Sequence, residues 1–464
     1  MNPRSSMSPS SVFENHDPVT GAPRESPSPH SAADVRAMLA ALHPAQPAWA
    51  AAPLAHRAER LGALANALRS NRQMLARTMT AEMGKPIVEA EAEVEKSAWV
   101  CEHYAAHAAA YLAPERVEAK AAETVIVTRP LGGVLAIMPW NFPVWQVLRF
   151  AAPALMAGNA VLVKHAPATM KTSAAIVAVS RQAGIPAGVF DEVRVPVDAV
   201  PTLIAHPAIS AVTLTGSDRA GRAVAAEAGR HLKKTVLELG GSDPFIVLED
   251  ADLDHAASIG AASRCLNSGQ SCIAAKRFIV VDAVAEAFVE RLVRAMRARQ
   301  MGDPMERSTQ VGPLARADLR ELLASQVDAS IAAGAVVRLG GEIPDRAGWF
   351  YPPTVLDRVP DACPAADEEL FGPVAAVFRV ANAQAAIARA NRTAYGLSAS
   401  LWTADRERAR QIADEIRSGA VFINNMSYSD PRVPFGGIGL SGYGRELGRA
   451  GILEFVNLQT RCFD

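Results

Sequence analysis

Between residues 124 and 424 the chain alternates short, fully apolar runs with alanine-rich stretches, and this narrows the fold more than any other feature. Val134-Leu135-Ala136-Ile137, Val161-Leu162-Val163, Val212-Thr213-Leu214 and Val236-Leu237 are each apolar enough to be strands buried on both faces. Such strands, separated by helical segments, belong to parallel sheets whose helical connections cover both faces. A second series follows Gly241: Phe245-Ile246-Val247-Leu248, Phe278-Ile279-Val280-Val281, Val336-Val337-Arg338-Leu339 and Val421-Phe422-Ile423-Asn424. Two doubly wound α/β units are therefore expected. The length agrees, since 464 residues at about 150 per domain gives roughly three units.

The flanking segments read differently. Residues 1–30 are rich in Ser, Pro and Asn, so most of this stretch is expected to be disordered, with residues 1–16 assigned as an extension. Leu61, Leu64, Leu68, Leu75 and Met79 follow helical spacing and predict a buried stripe on a helix that stops near Gly84-Lys85-Pro86. Pro86 then opens a second helix carrying Glu89, Glu93 and Tyr104. Thr124–Arg129 and Phe455–Thr460 are β-prone.

Composition excludes several function classes. The formal net charge is −1 with Lys and Arg dispersed, so nothing favours nucleic acid or an anionic membrane. No apolar stretch approaches the roughly 18 residues that span a bilayer, and Met1–Ser6 lacks the apolar core of a signal peptide. The five cysteines are scattered, forming neither a disulfide framework nor a metal-ligand pattern. The expectation is a cytoplasmic protein without a metal site.

Three residues carry the chemistry. Cys272 lies in Asn267-Ser268-Gly269-Gln270-Ser271-Cys272, a tight polar approach unlike the apolar settings of packing cysteines, and a thiol there can attack a carbonyl carbon. Glu238 ends an apolar strand just before Gly240-Gly241, where desolvation raises a carboxyl pKa toward that of a useful base. Asn141, in Pro139-Trp140-Asn141-Phe142-Pro143, offers an amide donor in a rigid, water-poor loop.

Taken together, in this order and at this spacing, these segments resemble the aldehyde dehydrogenase superfamily from about Asp17 to the C-terminus. The resemblance makes Cys272 the nucleophile, Glu238 the base for deacylation, and Asn141 with the backbone N–H of Cys272 the oxyanion donors. It implies the family's two doubly wound domains: a dinucleotide-binding domain over 17–113 and 131–239, and a catalytic domain over 240–445. Segments 114–130 and 446–464 would form a small protruding sheet that joins subunits into a homodimer or homotetramer. Gly216 and Ser217 match the pyrophosphate turn, and Lys164 the adenosine-ribose contact. Glu369 would hold the nicotinamide ribose and Phe371 would lie by the ring, with Trp140 also on the cofactor side. Many NAD-preferring relatives carry a Glu three positions after the Lys. Here that position is Pro167, so the cofactor is NAD or NADP.

The run Lys164-His165-Ala166-Pro167 resembles a bacterial subgroup of succinate-semialdehyde dehydrogenases. Arg149 occupies the position where such enzymes bind the substrate carboxylate, Ser429 matches a second contact, and Trp145 is assigned to the substrate. Leu266 stands where many of them supply another Arg. The implied reaction is oxidation of succinate semialdehyde to succinate through a cysteine thioester. The alternatives are another aliphatic or aromatic aldehyde, transfer of the acyl group to CoA, a non-redox cysteine hydrolase, and a non-enzymatic binding protein.

Overall fold

The computed structural model describes Phe13 and residues 15–464, so most of the expected disordered extension lies outside the described residues. Contrary to the expectation for residues 1–30, the chain is held from Asn15 onward. Asn15–His16 pairs antiparallel with Pro23–Arg24 across the turn that begins at Asp17, whose Oδ1 accepts the Val19 N–H at 2.8 Å. His30 N–H donates to the Arg194 carbonyl at 2.9 Å, and Trp349 N–H to that of Pro18 at 2.8 Å.

Two large sheets form the body. The six-stranded sheet has the order 442–443, 234–238, 209–215, 133–138, 160–165 and 190–192, parallel except for the short first strand. The chain order reverses between 133–138 and 209–215, which creates the crevice where doubly wound sheets take ligands. The seven-stranded sheet has the order 336–339, 354–357, 374–380, 277–281, 244–247, 399–402 and 421–423, again parallel except at its first strand. All eight expected strands are present. Val336–Leu339, however, is a partly exposed antiparallel edge rather than a buried strand.

Five strands of the two sheets escaped the apolar-run criterion: Phe190–Glu192, Thr354–Asp357, Val374–Val380, Ala399–Trp402 and Gly442–Tyr443. They are short or carry polar residues whose partners lie far along the chain. Buried Asp357, for example, pairs with Arg338 and Arg379. The two β-prone segments do pair: Val456–Phe463 runs antiparallel to Glu123–Pro130 in a three-stranded sheet completed by Glu115–Arg116. Among the described residues, no helix is long and apolar enough to cross a membrane.

The Leu61–Met79 stripe is buried as expected, but it spans two helices, Leu54–Ser70 and Arg72–Met83. The break is at Asn71, whose side-chain amide donates to the Ala67 carbonyl at 2.8 Å and to Gln182 at 2.9 Å. This side chain competes with the backbone for the helical hydrogen bonds. Pro86 caps the next helix, Ile87–Tyr111, from just outside it.

That helix positions the site. Glu93 is buried and ion-paired with buried Lys85, and its Oε1 accepts the N–H groups of Val144 (2.8 Å) and Trp145 (2.9 Å). These are free donors at the start of helix Trp145–Met156, where a carboxylate also meets the positive end of the helix dipole. Removing one partner of a buried pair leaves the other charge uncompensated. Lys85→Met should therefore destabilise the fold by roughly 3 kcal/mol or more, read as a lower urea midpoint. A midpoint equal to that of the unmutated protein would show that the pair contributes nothing.

Candidate active site

The C-terminal ends of the six-stranded sheet carry four of the anticipated segments. Asn141 follows strand Gly133–Met138, Lys164 closes strand Ala160–His165, Gly216-Ser217 follows Ile209–Thr215, and Glu238 is the last residue of Lys234–Glu238. Cys272 approaches from the other sheet, in the loop leading into strand Arg277–Val281, at that strand's N-terminal end. The two sides touch: the Asn141 amide donates to the Gln270 carbonyl at 3.0 Å, and Asn267 donates to the carbonyls of Asn141 (2.7 Å) and Gln270 (3.2 Å).

The nucleophile loop has an unusual backbone. Asn267, Ser268 and Gly269 are consecutively left-handed, with φ of 53°, 55° and 77°. The first two pay a steric penalty that surrounding hydrogen bonds must offset. Glu89 accepts the Asn267 N–H at 2.7 Å, Ser268 exchanges hydrogen bonds with Gly312, and Gln270 accepts the Ala315 N–H at 2.9 Å. A Cβ on Gly269 would overlap the backbone of Gly372-Pro373. Arg264, fully buried, binds the carbonyls of Gly269 and Ala275 from beneath. The Gly240-Gly241 pair has a similar reason: a Cβ on Gly241 would stand 2.6 Å from the Cys272 carbonyl oxygen.

Cys272 is partly exposed to a cavity of about 250 Å³ that is also lined by Glu89, Lys96, Trp145, Arg149, Leu266 and Ser429. Burial pushes its thiol up to about 12, against the pull of the Lys276 and Arg149 charges. Lys276, fully buried, donates to the carbonyls of Ser271 (2.9 Å) and Cys272 (2.7 Å) and pairs with Glu369 at 3.2 Å. Glu238 is buried with neither carboxyl oxygen hydrogen-bonded. Desolvation and then the nearby Glu446 carboxylate hold its pKa well above the ordinary value, with Arg149 and Arg445 opposing.

Arg149, anticipated as a carboxylate contact, lines the cavity but is already ion-paired with buried Glu446. It also donates to Thr215 Oγ1 at 3.4 Å and lies 4.7 Å from the Phe435 ring centre. Ser429 and Trp145 reach the same cavity. Lys96, which sequence reasoning passed over, is there too: its Nζ donates to Ser429 Oγ at 2.8 Å and lies 4.4 Å from the Trp145 ring centre. Its signal was the spacing of Glu89, Glu93 and Lys96, which places all three on one helix face.

The residues that the resemblance assigns to the cofactor suit a dinucleotide on two observations. Lys164 is buried, and among the described residues no hydrogen-bond or ion-pair partner engages its amine. Ser217 caps the 13-residue helix Asp218–Arg230 beside the sheet's crevice, presenting free backbone N–H groups suited to phosphate. Trp140 and Phe371 meet edge to face at 5.8 Å. Glu369 is taken up by Lys276 and by the Gly241 N–H at 3.0 Å. His165 is buried, kept neutral by a pKa lowered to about 4, and hydrogen-bonded to the Pro143 carbonyl at 3.0 Å. Strand Ala160–His165 is thereby tied to the Asn141 loop.

The sequence matches the model of the aldehyde dehydrogenase family over residues 5–461. It is 49% identical over 444 residues to a probable NADP⁺ succinate-semialdehyde dehydrogenase of Synechocystis sp., covering 96% of this chain and 98% of that one. It is 49% identical over 412 residues to the NAD(P)⁺ succinate-semialdehyde dehydrogenase Sad of Escherichia coli, covering 89% of each. The fold superimposes on the Streptococcus pyogenes succinic semialdehyde dehydrogenase solved with NADP⁺, with a TM-score of 0.95 at 34% identity, covering 97% of this chain and 99% of that one.

The loop geometry gives a direct test. Gly269→Ala adds both a disfavoured φ and a backbone clash, so it should destabilise by roughly 2 kcal/mol and displace Cys272 enough to abolish most turnover. A variant with unchanged melting temperature and kcat would show that the loop relaxes freely.

Proposed function

Because the chain belongs to the aldehyde dehydrogenase family, we propose that it oxidises succinate semialdehyde to succinate with NAD or NADP as acceptor. The observation that carries the substrate is one cavity that presents the Cys272 thiol together with the cations Arg149 and Lys96. An aldehyde bearing a carboxylate suits that pairing; a neutral aldehyde gains nothing from it.

Cys272 attacks the aldehyde carbon, forming a C–S bond as the carbonyl electrons move to oxygen. Desolvation holds the proton on its thiol, so attack also requires that proton to pass to solvent through the cavity. Asn141 has a second amide hydrogen beside the one given to Gln270, and it stabilises the oxyanion together with the Cys272 N–H. The dinucleotide, when bound, supplies the hydride acceptor. Lys164, Gly216 and Ser217 would hold it, with Trp140 and Phe371 flanking its reactive end and Glu369 binding ribose after leaving Lys276. Glu238 then takes a proton from water as the hydroxide adds to the thioester carbon, the C–S bond breaks, and the thiol is restored.

The organisation follows from this reading. Residues 17–113 and 131–239 form the dinucleotide domain, 240–445 the catalytic domain, and 114–130 with 446–464 the subunit-joining segment. Leu458 and Phe463 are exposed on strand Val456–Phe463, which supports a homodimer or homotetramer. Five free cysteines support a reducing cytoplasm.

Glu238→Gln should leave a burst of reduced cofactor near one equivalent followed by little turnover, because only deacylation needs the base. Uniform slowing without a burst would remove Glu238 from that step. In the unmutated enzyme the deacylation rate should rise with pH, because the base must first lose a proton that burial holds on.

Pro167→Glu should shift cofactor preference toward NAD by roughly tenfold or more, through repulsion of the 2′-phosphate. An unchanged NADP to NAD ratio of kcat/KM would show that another element reads the ribose.

A further inference from the structure

Arg149 is the residue that motif reasoning assigns to the substrate carboxylate, yet it is the more committed of the cavity's two cations. Its guanidinium is engaged by Glu446, Thr215 and the Phe435 ring, and its pairing with Glu446 buries both groups. Its Nε must stay on Glu446, a buried acid beside a second one, Glu238, so only the far edge of the guanidinium is left for a substrate carboxylate.

Lys96 differs in each respect. It stands on helix Ile87–Tyr111, one turn beyond Glu93, and reaches the cavity partly exposed. Among the described residues, no carboxylate forms an ion pair with it. Its contacts are the Ser429 hydroxyl at 2.8 Å and the Trp145 ring at 4.4 Å. Both neighbours leave ammonium N–H donors available, and Ser429 adds a hydroxyl that can donate alongside them. Glu93, one turn earlier on the same helix, is engaged by Lys85 and two backbone N–H groups, and Glu95 by Arg69.

We propose that Lys96, with Ser429 and Trp145 positioning its amine, is a receptor of the substrate's distal carboxylate, beside an Arg149 whose Nε is committed to Glu446. This rests on the reading of the substrate as an acidic aldehyde.

The groups facing Lys96 give the assignment a pH signature. Arg149 on the neighbouring helix disfavours its charge, while Glu93 and, from the segment before Pro434, Asp430 favour it; Glu89 lines the same cavity. Burial outweighs these and lowers the Lys96 pKa to about 8. The amine carries its charge below that value and loses it above, so affinity for a carboxylate falls as pH rises through about 8.

The test is the ratio of kcat/KM for succinate semialdehyde to that for butanal, which cancels changes common to both aldehydes. In Lys96→Met the ratio should fall roughly thirtyfold, mostly through KM for the acidic substrate, and Lys96→Arg should recover most of it. In the unmutated enzyme the ratio should decline above pH 8, whereas in Lys96→Arg it should stay level. If Lys96→Met folds poorly, Lys96→Gln and the unmutated pH profile decide the matter. A ratio unaltered in both neutral variants, or a profile flat through pH 8 to 10, would overturn the role of Lys96 while leaving the substrate standing. An unmutated enzyme that prefers butanal would overturn the substrate reading and this proposal with it.

Discussion

Glu93 is a carboxylate withdrawn from water where three segments meet, and its partners determine where the reacting groups stand. Lys85 neutralises it, and the first N–H groups of helix Trp145–Met156 satisfy its oxygen. The loop holding Asn141 ends at this contact, and Trp145 and Arg149 project from the helix that begins there. One turn earlier, Glu89 receives the N–H of Asn267 and so fixes the start of the nucleophile loop. One turn later stands Lys96. A single helix thus aligns the amide donor, the thiol and the cationic wall of the cavity. That sort of registration depends on charges with no alternative partner.

The two sheets contribute opposite ends. The six-stranded sheet offers its C-terminal edge, where parallel strands leave loops and helix N-termini free for a nucleotide. The seven-stranded sheet offers an N-terminal edge, with Cys272 and the Glu369–Pro373 segment placed before strands 277–281 and 374–380. The five residues between Glu238 and Pro244 join the sheets, and glycine at 240 and 241 lets the junction lie against the nucleophile loop. The residues proposed to hold the dinucleotide and the thiol therefore belong to different sheets, which meet where Asn141 bonds with the Asn267–Gln270 segment.

Much of this was legible in the sequence because it is local. Buried parallel strands announce themselves as apolar runs, and Cys272, Glu238 and Asn141 each sit in a short segment whose neighbours mark it as a candidate. What escaped is what depends on partners distant in the chain. Arg149 could be seen as an awkward cation among apolar residues, but not that Glu446 would pair with it. Lys96 drew no notice, because Ser429, which orients it, lies 333 positions away. Strand Thr354–Asp357 was hidden by an acid that only arginines from two other strands make tolerable. The break at Asn71 went unseen because asparagine within an otherwise helical pattern does not by itself decide between turn and helix.

The late segment of the chain has a consequence for biosynthesis. Ser429, Phe435, Gly436 and Glu446 all reach the centre from it, Gly442 pairs with Glu238 itself, and the terminal strand closes onto Glu123–Pro130. A nascent polypeptide leaving the ribosome can pair the strands of its first sheet long before these residues emerge. It cannot yet enclose the cavity or set the charge around its base. The surroundings of Cys272 thus assemble only once residues 429–463 have been translated, so a chain terminated before them would hold that thiol without the groups that govern it.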